Sequence, residues 1–289
     1  MLPYIYLLKV IVCSAIFMGY YFVALRNKIY HQYNRFYLLF ATLASWCIPL
    51  LQFNIVVAKP IVYQPVFEAI SYISGSNKSF ELEPIYQPIA THFTTDNYIV
   101  FIYIALAAML MISMLYAIAK IFLLTKKYPK ENINNCPIYL TKEENTPFSF
   151  FKFIFWNTDI NIHSNIGNQI LQHELTHIKQ KHSWDKIFIQ LNIIAGWFNP
   201  FFWLIKKELE MIHEFIADKK SVPNANTAEF AAMLLNTAFG TKQLALTNPF
   251  FFSPIKRRLI MLTKNTHPKF SYLQRIIALP LLALAIILL

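Results

Sequence analysis

The stretch "LQHELTHIKQKH", residues 171–182, decides how this chain is read. It holds His-Glu-x-x-His. On a helix His173 and His177 stand at i and i+4, so their rings project from one face. Glu174 lies beside that face. Two neutral imidazoles, a third ligand and an open position are what a zinc hydrolase needs, with a carboxylate beside them to accept a proton. Asn165 is the expected N-cap of this helix. His182 is five residues past His177, off the shared face of a continuous helix, and is expected at a surface or an interface.

The surroundings are apolar. Of 289 residues, 56% are hydrophobic and 14% charged, with five glycines and a mean hydropathy of +0.40. An ordinary soluble domain is about 45–50% apolar and about 25% charged, so the composition points to a membrane protein. The net charge of +11 is not gathered into one basic run with interleaved aromatics, and direct nucleic-acid binding is not expected. Cys13, Cys47 and Cys136 form no CxxC spacing, and all three are expected as buried thiols.

Three runs are long enough to cross a hydrocarbon core of about 30 Å: residues 2–25, 36–57 and 98–125. The first lacks a basic leader and a small-residue cleavage site, so it reads as a retained span. A fourth run, from Arg275 to the last residue, reads as the start of a further span in an incomplete chain. Lys and Arg set the orientation. Arg26, Lys28 and Arg35 follow the first run, Lys126, Lys127 and Lys130 the third, and Lys264, Lys269 and Arg275 precede the fourth. The loop 58–97 carries Lys59 and Lys78 against Glu68, Glu81, Glu83 and Asp96. The N-terminus and this loop are therefore expected outside, and residues 126–273 in the cytoplasm. The expected division is 1–125 (three spans and the loop), 126–273 (a cytoplasmic zinc metallopeptidase domain) and 274–289 (the start of a fourth span).

Within the cytoplasmic block, "CPIYLT" and "PFSFFKFIFW" flank "KEENTP" and read as a β-hairpin. The apolar segment 187–205 is broken at "GWFNP". If it crossed the bilayer, any downstream ligand would sit on the wrong side of it. It is expected as a buried or membrane-hugging hairpin, its aromatics at the headgroup boundary. Downstream, Glu210, Glu214 and Asp218 recur every four residues in "KKELEMIHEFIADKKS" and line one helix face. One of them is the candidate third ligand. His213 projects about 100° from Glu214. "SPIKRRL", residues 253–259, reads as a membrane-proximal basic patch. "SFFK" and "SWDK" fit Ser-x-x-Lys by chance.

"QHELTHIKQKHSWD", then "ELEMIHEFIADKKS", then "SPIKRRLIML" resemble the antirepressor-type sensor metalloproteases of the BlaR/MecR family. The resemblance covers residues 130–289 in motif and the whole chain in layout. It implies a multi-pass α-helical membrane protein of about four spans with a cytoplasmic, mostly helical gluzincin domain carrying a small β-hairpin or sheet. It implies Zn2+ held by His173, His177 and Glu214, Glu174 as catalytic base, and Asp218 as the acid that orients a ligating histidine. It implies a cytoplasmic protein substrate such as a DNA-binding repressor, or the chain itself, in a cell-membrane protein that could be a homodimer. The penicillin-binding sensor of well-known members has no counterpart here, so β-lactam sensing is not implied. Two other readings share the motif: a membrane protease of CAAX-processing or heat-shock type, and a non-hydrolytic receptor with a structural zinc site.

Overall fold

A computed structural model describes residues 3–51, 95–133, 136–143, 146–222, 230 and 253–264. Helix α1 spans Pro3–Tyr20 and continues as a wider turn over Tyr21–Leu25; α2 spans His31–Cys47. Helix α3 spans Thr95–Lys127. A small sheet follows: β1 Lys130–Ile133, β2 Cys136–Thr141, β3 Phe148–Phe150 and β4 Phe153–Asn157. Then come α4 Asn165–Lys179, α5 His182–Ala195, α6 Pro200–Ser221 and α7 Ser253–Thr263. The chain divides into two compact units, residues 1–51 with 105–289, and residues 52–104. Of the second unit only the first ten residues of α3 are described.

The described structure is mostly helical, as expected. Two of its helical runs, Tyr4–Leu25 and Tyr98–Lys127, are long and apolar enough to cross a membrane. Helix α2 starts earlier than the apolar run suggested, at His31, because its first turns are polar but buried: His31, Asn34 and Arg35 all face protein. The loop 58–94 and the run 275–289 lie outside the described residues.

The N-terminal core joins α1 and α2 to the α5–α6 pair. Val10, Cys13, Phe17, Leu38 and Ala41 pack with Ile189, Ile193, Phe202, Ile205 and Leu209. Segment 187–205 is thus a helical hairpin, as the break at "GWFNP" implied. The turn closes tightly: a Cβ on Gly196 would come within 2.8 Å of the Phe202 ring and 3.1 Å of Trp46. Asn199 starts α6 by accepting from the Phe201 amide at 3.0 Å and donates to Ser14 Oγ of α1 at 2.9 Å. Ser14, Thr42 and Ser45 return their hydroxyls to carbonyls of their own helices, so none of these three donors is left orphaned in the apolar core. Of the cysteines, Cys13 is buried as expected, Cys136 is half-buried and Cys47 is exposed.

The second core lies between the sheet and α4: Ile138, Ile154 and Trp156 against Ile170, Leu171 and Leu175, with Phe230. The strand order is β1-β2-β4-β3. The expected hairpin between "CPIYLT" and the aromatic run is not formed. The aromatic run folds on itself instead, at Phe151, whose φ is 50°. This splits it into β3 and β4, antiparallel with Phe148 opposite Phe155. Strand β4 then lies parallel to β2, Ile138 opposite Ile154. The reason is burial: Ile154, Phe155 and Trp156 are all buried, so β4 must be an inner strand, with β3 left at the edge.

The cap of α4 is Ser164, one residue before the expected Asn165. Its hydroxyl accepts from the Gly167 amide at 2.9 Å. Gly167 is required there, since a Cβ would collide with the Asn161 carbonyl oxygen. Ser164→Ala removes the acceptor of the Gly167 amide and is expected to cost about 1 kcal/mol, read as a lower thermal midpoint.

Candidate metal centre

Helices α4 and α6 pack face to face and carry the candidate residues between them. The apolar stripe Ile170, Leu171 and Leu175 of α4 is drawn onto the sheet, which turns His173, Glu174 and His177 toward a cavity of about 310 Å³. From α6, Leu209, Ile212 and Ile216 enter the N-terminal core, which turns Glu214 and Asp218 toward α4. Leu209 to Ile216 is the helical repeat that the sequence shows. Glu214 reaches the rings because it lies on the other side of that repeat.

The ligand atoms of three residues converge. His173 Nε2 lies 3.2 Å from His177 Nε2 and 3.4 Å from Glu214 Oε2, and His177 Nε2 lies 3.6 Å from Glu214 Oε1. The three residues form a group able to hold a metal ion. Ligands about 2.0–2.1 Å from a tetrahedral zinc ion stand about 3.3 Å apart, so the triangle has the right size. Side-chain exposures of 12% at His173, 10% at His177 and 31% at Glu214 leave one side open to the cavity. Asp218, buried to 1%, has Oδ1 at 3.2 Å from His173 Nδ1. Glu210 joins neither contact, and His213 points away, as its helical angle implied, into a bond with Asp185 at 2.8 Å.

Electrostatics agree with a dication here. Glu174, Glu214 and Asp218 meet around the rings, against Arg258. Burial works against the charge on His173, but its bonds to Asp218 and Glu214 outweigh it and push the ring up to about 10. Burial and the neighbouring His173 push His177 down to about 3. Burial opposes the charge on Glu214, yet the His173 bond, His173 charge and Arg258 hold its carboxyl well below the usual range. Asp218 and Glu214 beside the ring favour positive charge there, and a divalent cation would supply it.

Glu174 is 8% exposed and lines the cavity beside the triangle. Burial raises its carboxyl above the ordinary glutamate range, against the pull of His173 and a hydrogen bond from Ser149. Pro147 and, from the edge strand, Phe148 and Ser149 form one wall, and Lys186 and Arg258 supply positive charge.

Three residues escaped the sequence reading. Arg258 was expected in a membrane-proximal basic patch. It donates from Nε and Nη2 to Asp218 at 2.8 and 2.6 Å and lies 3.1 Å from Glu214. Arg257 likewise grips Glu208, at 3.0 and 2.8 Å. His182 was expected at a surface or an interface. It is 1% exposed and its Nδ1 lies 2.8 Å from His177 Nδ1. The signal for Arg258 was charge arithmetic: an acid-poor chain that buries acids beside a helix must find cations for them. The serines of the two Ser-x-x-Lys strings are occupied elsewhere: Ser183 Oγ accepts from the Phe151 amide at 2.8 Å and Ser149 bonds Glu174.

Among protein families, residues 161–262 match the model of the BlaR1 peptidase M56 family. This segment holds both halves of the ligand triangle and Arg258. The match bears out the resemblance read from the motifs and is narrower than the 130–289 expected for it. No curated protein matches the chain.

Proposed function

From the triangle formed by His173, His177 and Glu214, within the segment that matches the BlaR1 peptidase family, we propose that this chain is a membrane-embedded zinc endopeptidase. In this reading it acts in transmembrane signalling, cutting a cytoplasmic repressor-like protein, itself, or both. The observation that carries it is the set of donor spacings, 3.2, 3.4 and 3.6 Å, with a buried carboxylate alongside. A structural zinc site accounts for the triangle but not for Glu174, whose burial carries a desolvation cost with no ligand role to offset it. The family match favours a sensor peptidase over the CAAX-processing or heat-shock type.

His173, His177 and Glu214 would hold the ion, with Asp218 fixing the His173 ring through Nδ1. Zinc, when bound, supplies a Lewis acid that polarises the scissile carbonyl and acidifies the attacking water. A Glu174 carboxylate oxygen takes the proton of that water and delivers it to the leaving amine. The Ser149 hydroxyl restrains the carboxylate. Strand β3, at the edge of the sheet among the described residues and on the cavity wall, offers its outer side to an extended substrate strand.

The membrane reading draws on α3. No side chain in its apolar window is buried, and Ile99, Phe101, Ile104, Ile112, Leu115 and Leu123 stand exposed. Lipid accommodates such a surface and water does not. With α1 and α3 as spans, the Lys and Arg distribution supports an N-terminus outside and residues 126–273 in the cytoplasm, in a four-span chain with the division set out above. The α5–α6 turn then lies deep. Ser14, which Asn199 touches, is about 16 Å along α1 from Leu25, half the apolar thickness. The hairpin would dip into the bilayer and return rather than rest at the headgroups.

The test is reconstituted full-length chain in lipid vesicles, offered an unfolded protein such as reduced casein. Chelation is expected to stop cleavage of casein and of the chain itself, and one equivalent of zinc to restore it. Cleavage indifferent to chelation, or no zinc bound, would defeat the proposal.

A further inference from the structure

Where the first helix of the motif ends, the chain turns within two residues. Lys181 adopts a left-handed conformation, φ 57°, so α5 begins at His182. The turn brings His182 back over α4, where a continuous helix would have carried it away. Its Nδ1 lies 2.8 Å from Nδ1 of His177. Its ring lies flat on that of His213, centroids 4.0 Å apart and planes 14° apart. His213 Nε2 is bound to Asp185 Oδ2 at 2.8 Å, and the same oxygen accepts from Arg35 Nε at 2.6 Å. Arg35 belongs to α2 and also donates from Nη2 to the carbonyl of Gln180, in the turn itself, at 2.7 Å.

We propose that His182 is a positioning residue that orients His177 as a ligand, its own ring held in place from α2 through Arg35, Asp185 and His213. The inference rests on the zinc reading above. Tautomer logic carries it. Nε2 of His177 belongs to the ligand triangle, so it must present a lone pair and the ring proton must sit on Nδ1. That proton needs an acceptor, and the atom in reach is Nδ1 of His182. His182 therefore keeps its proton on Nε2. This atom is buried and has no hydrogen-bond partner among the described residues. The opposite arrangement, with His182 donating, would put the His177 proton on Nε2 and block ligation. An apolar side chain here would avoid an orphaned donor; what histidine provides is the acceptor. His173 is oriented in the same way by Asp218, so each imidazole has its own partner.

The stack explains why the acceptor stays aimed. His213 contributes a flat, fully buried face, and its bond to Asp185 fixes the plane of that face. Arg35 closes the chain on both sides, holding Asp185 and the turn that delivers His182. A residue of α2, remote from every ligand, is thereby tied to ligand geometry.

The experiment measures zinc affinity of full-length chain in detergent by competition with a chromogenic chelator, together with the visible spectrum of the cobalt-substituted protein. His182→Phe keeps a ring to stack on His213 and removes the acceptor. His182→Asn puts an amide oxygen close to the Nδ1 position. His182→Phe is expected to weaken zinc binding about 10–100-fold and to alter the cobalt bands. His182→Asn is expected to stay within a few-fold of the unaltered chain. Arg35→Met is expected to weaken zinc with helical content unchanged. Unaltered affinity in His182→Phe overturns the role, and so does equal loss in the Phe and Asn variants, which would mark mere packing. Unaltered affinity in Arg35→Met overturns the anchoring from α2. If His182→Phe does not fold, His182→Leu takes its place. An unaltered chain that binds no zinc defeats the zinc reading itself, whereas zinc bound equally by all variants defeats only this inference.

Discussion

Glu174→Gln keeps zinc bound and lowers cleavage by about 10²–10⁴-fold, the contribution of a positioned general base. Glutamine has the same shape and cannot accept the proton. The ligand set is untouched, because the triangle is made by His173, His177 and Glu214. Stability is expected to hold or rise, since burial disfavours the Glu174 carboxylate and the amide is neutral. The sign of the pH dependence follows. In the metal-free chain burial raises the Glu174 carboxyl above the usual glutamate value of about 4.3, so on acidification it takes up its proton at a higher pH than an exposed glutamate would. Zinc content and cleavage measured side by side check this. A zinc-loaded Glu174→Gln protein with activity within threefold of the unaltered chain would falsify the assignment.

Arg258→Met is expected to be the most destabilising single change at the site. It leaves Asp218, 1% exposed, without its two-point partner, and Glu214 without the guanidinium 3.1 Å away. Removing one member of a buried pair costs about 3–5 kcal/mol. The 17% exposure of Arg258 places the loss near 3 kcal/mol. The same contact ties α7 to α6, so the variant should also loosen α7, read as faster amide exchange over 253–263. Adding Asp218→Asn removes the uncompensated charge while its amide oxygen still accepts from His173 Nδ1. The double variant should therefore recover much of the thermal midpoint. A double variant no more stable than Arg258→Met would show that the loss came from packing of the arginine stem and not from the ion pair.

Both outcomes depend on contacts between residues far apart in sequence, and this marks what could be read early. His173, Glu174 and His177 are legible because one helix places them by its own geometry. Glu214 and Asp218 are legible as a stripe, since four-residue spacing is also local. That they face α4 is tertiary: it follows from Leu209, Ile212 and Ile216 entering the core with α1 and α2. His182 was misread because the inference assumed a continuous helix, and a single left-handed residue at Lys181 broke it. Arg35 and Arg258 were counted as topology signals. A charge has no visible partner in sequence, and theirs lie 150 and 40 residues away. The sheet failed for the same reason: alternation and aromatic content identify strands, but only burial of Trp156 and its neighbours decided that β4 lies inside and β3 at the edge.

By itself, then, the amino-acid sequence determined the apolar helices, the His-Glu-x-x-His motif and the pair of helices that carry the candidate residues. These are set by periodicities of a few residues and by composition. Tertiary structure brought Glu214, which the resemblance had already named, against the two histidines, and it alone decided the cations beside its acids and the histidine beside His177. Those depend on which faces are buried together, and burial is a property of the whole chain.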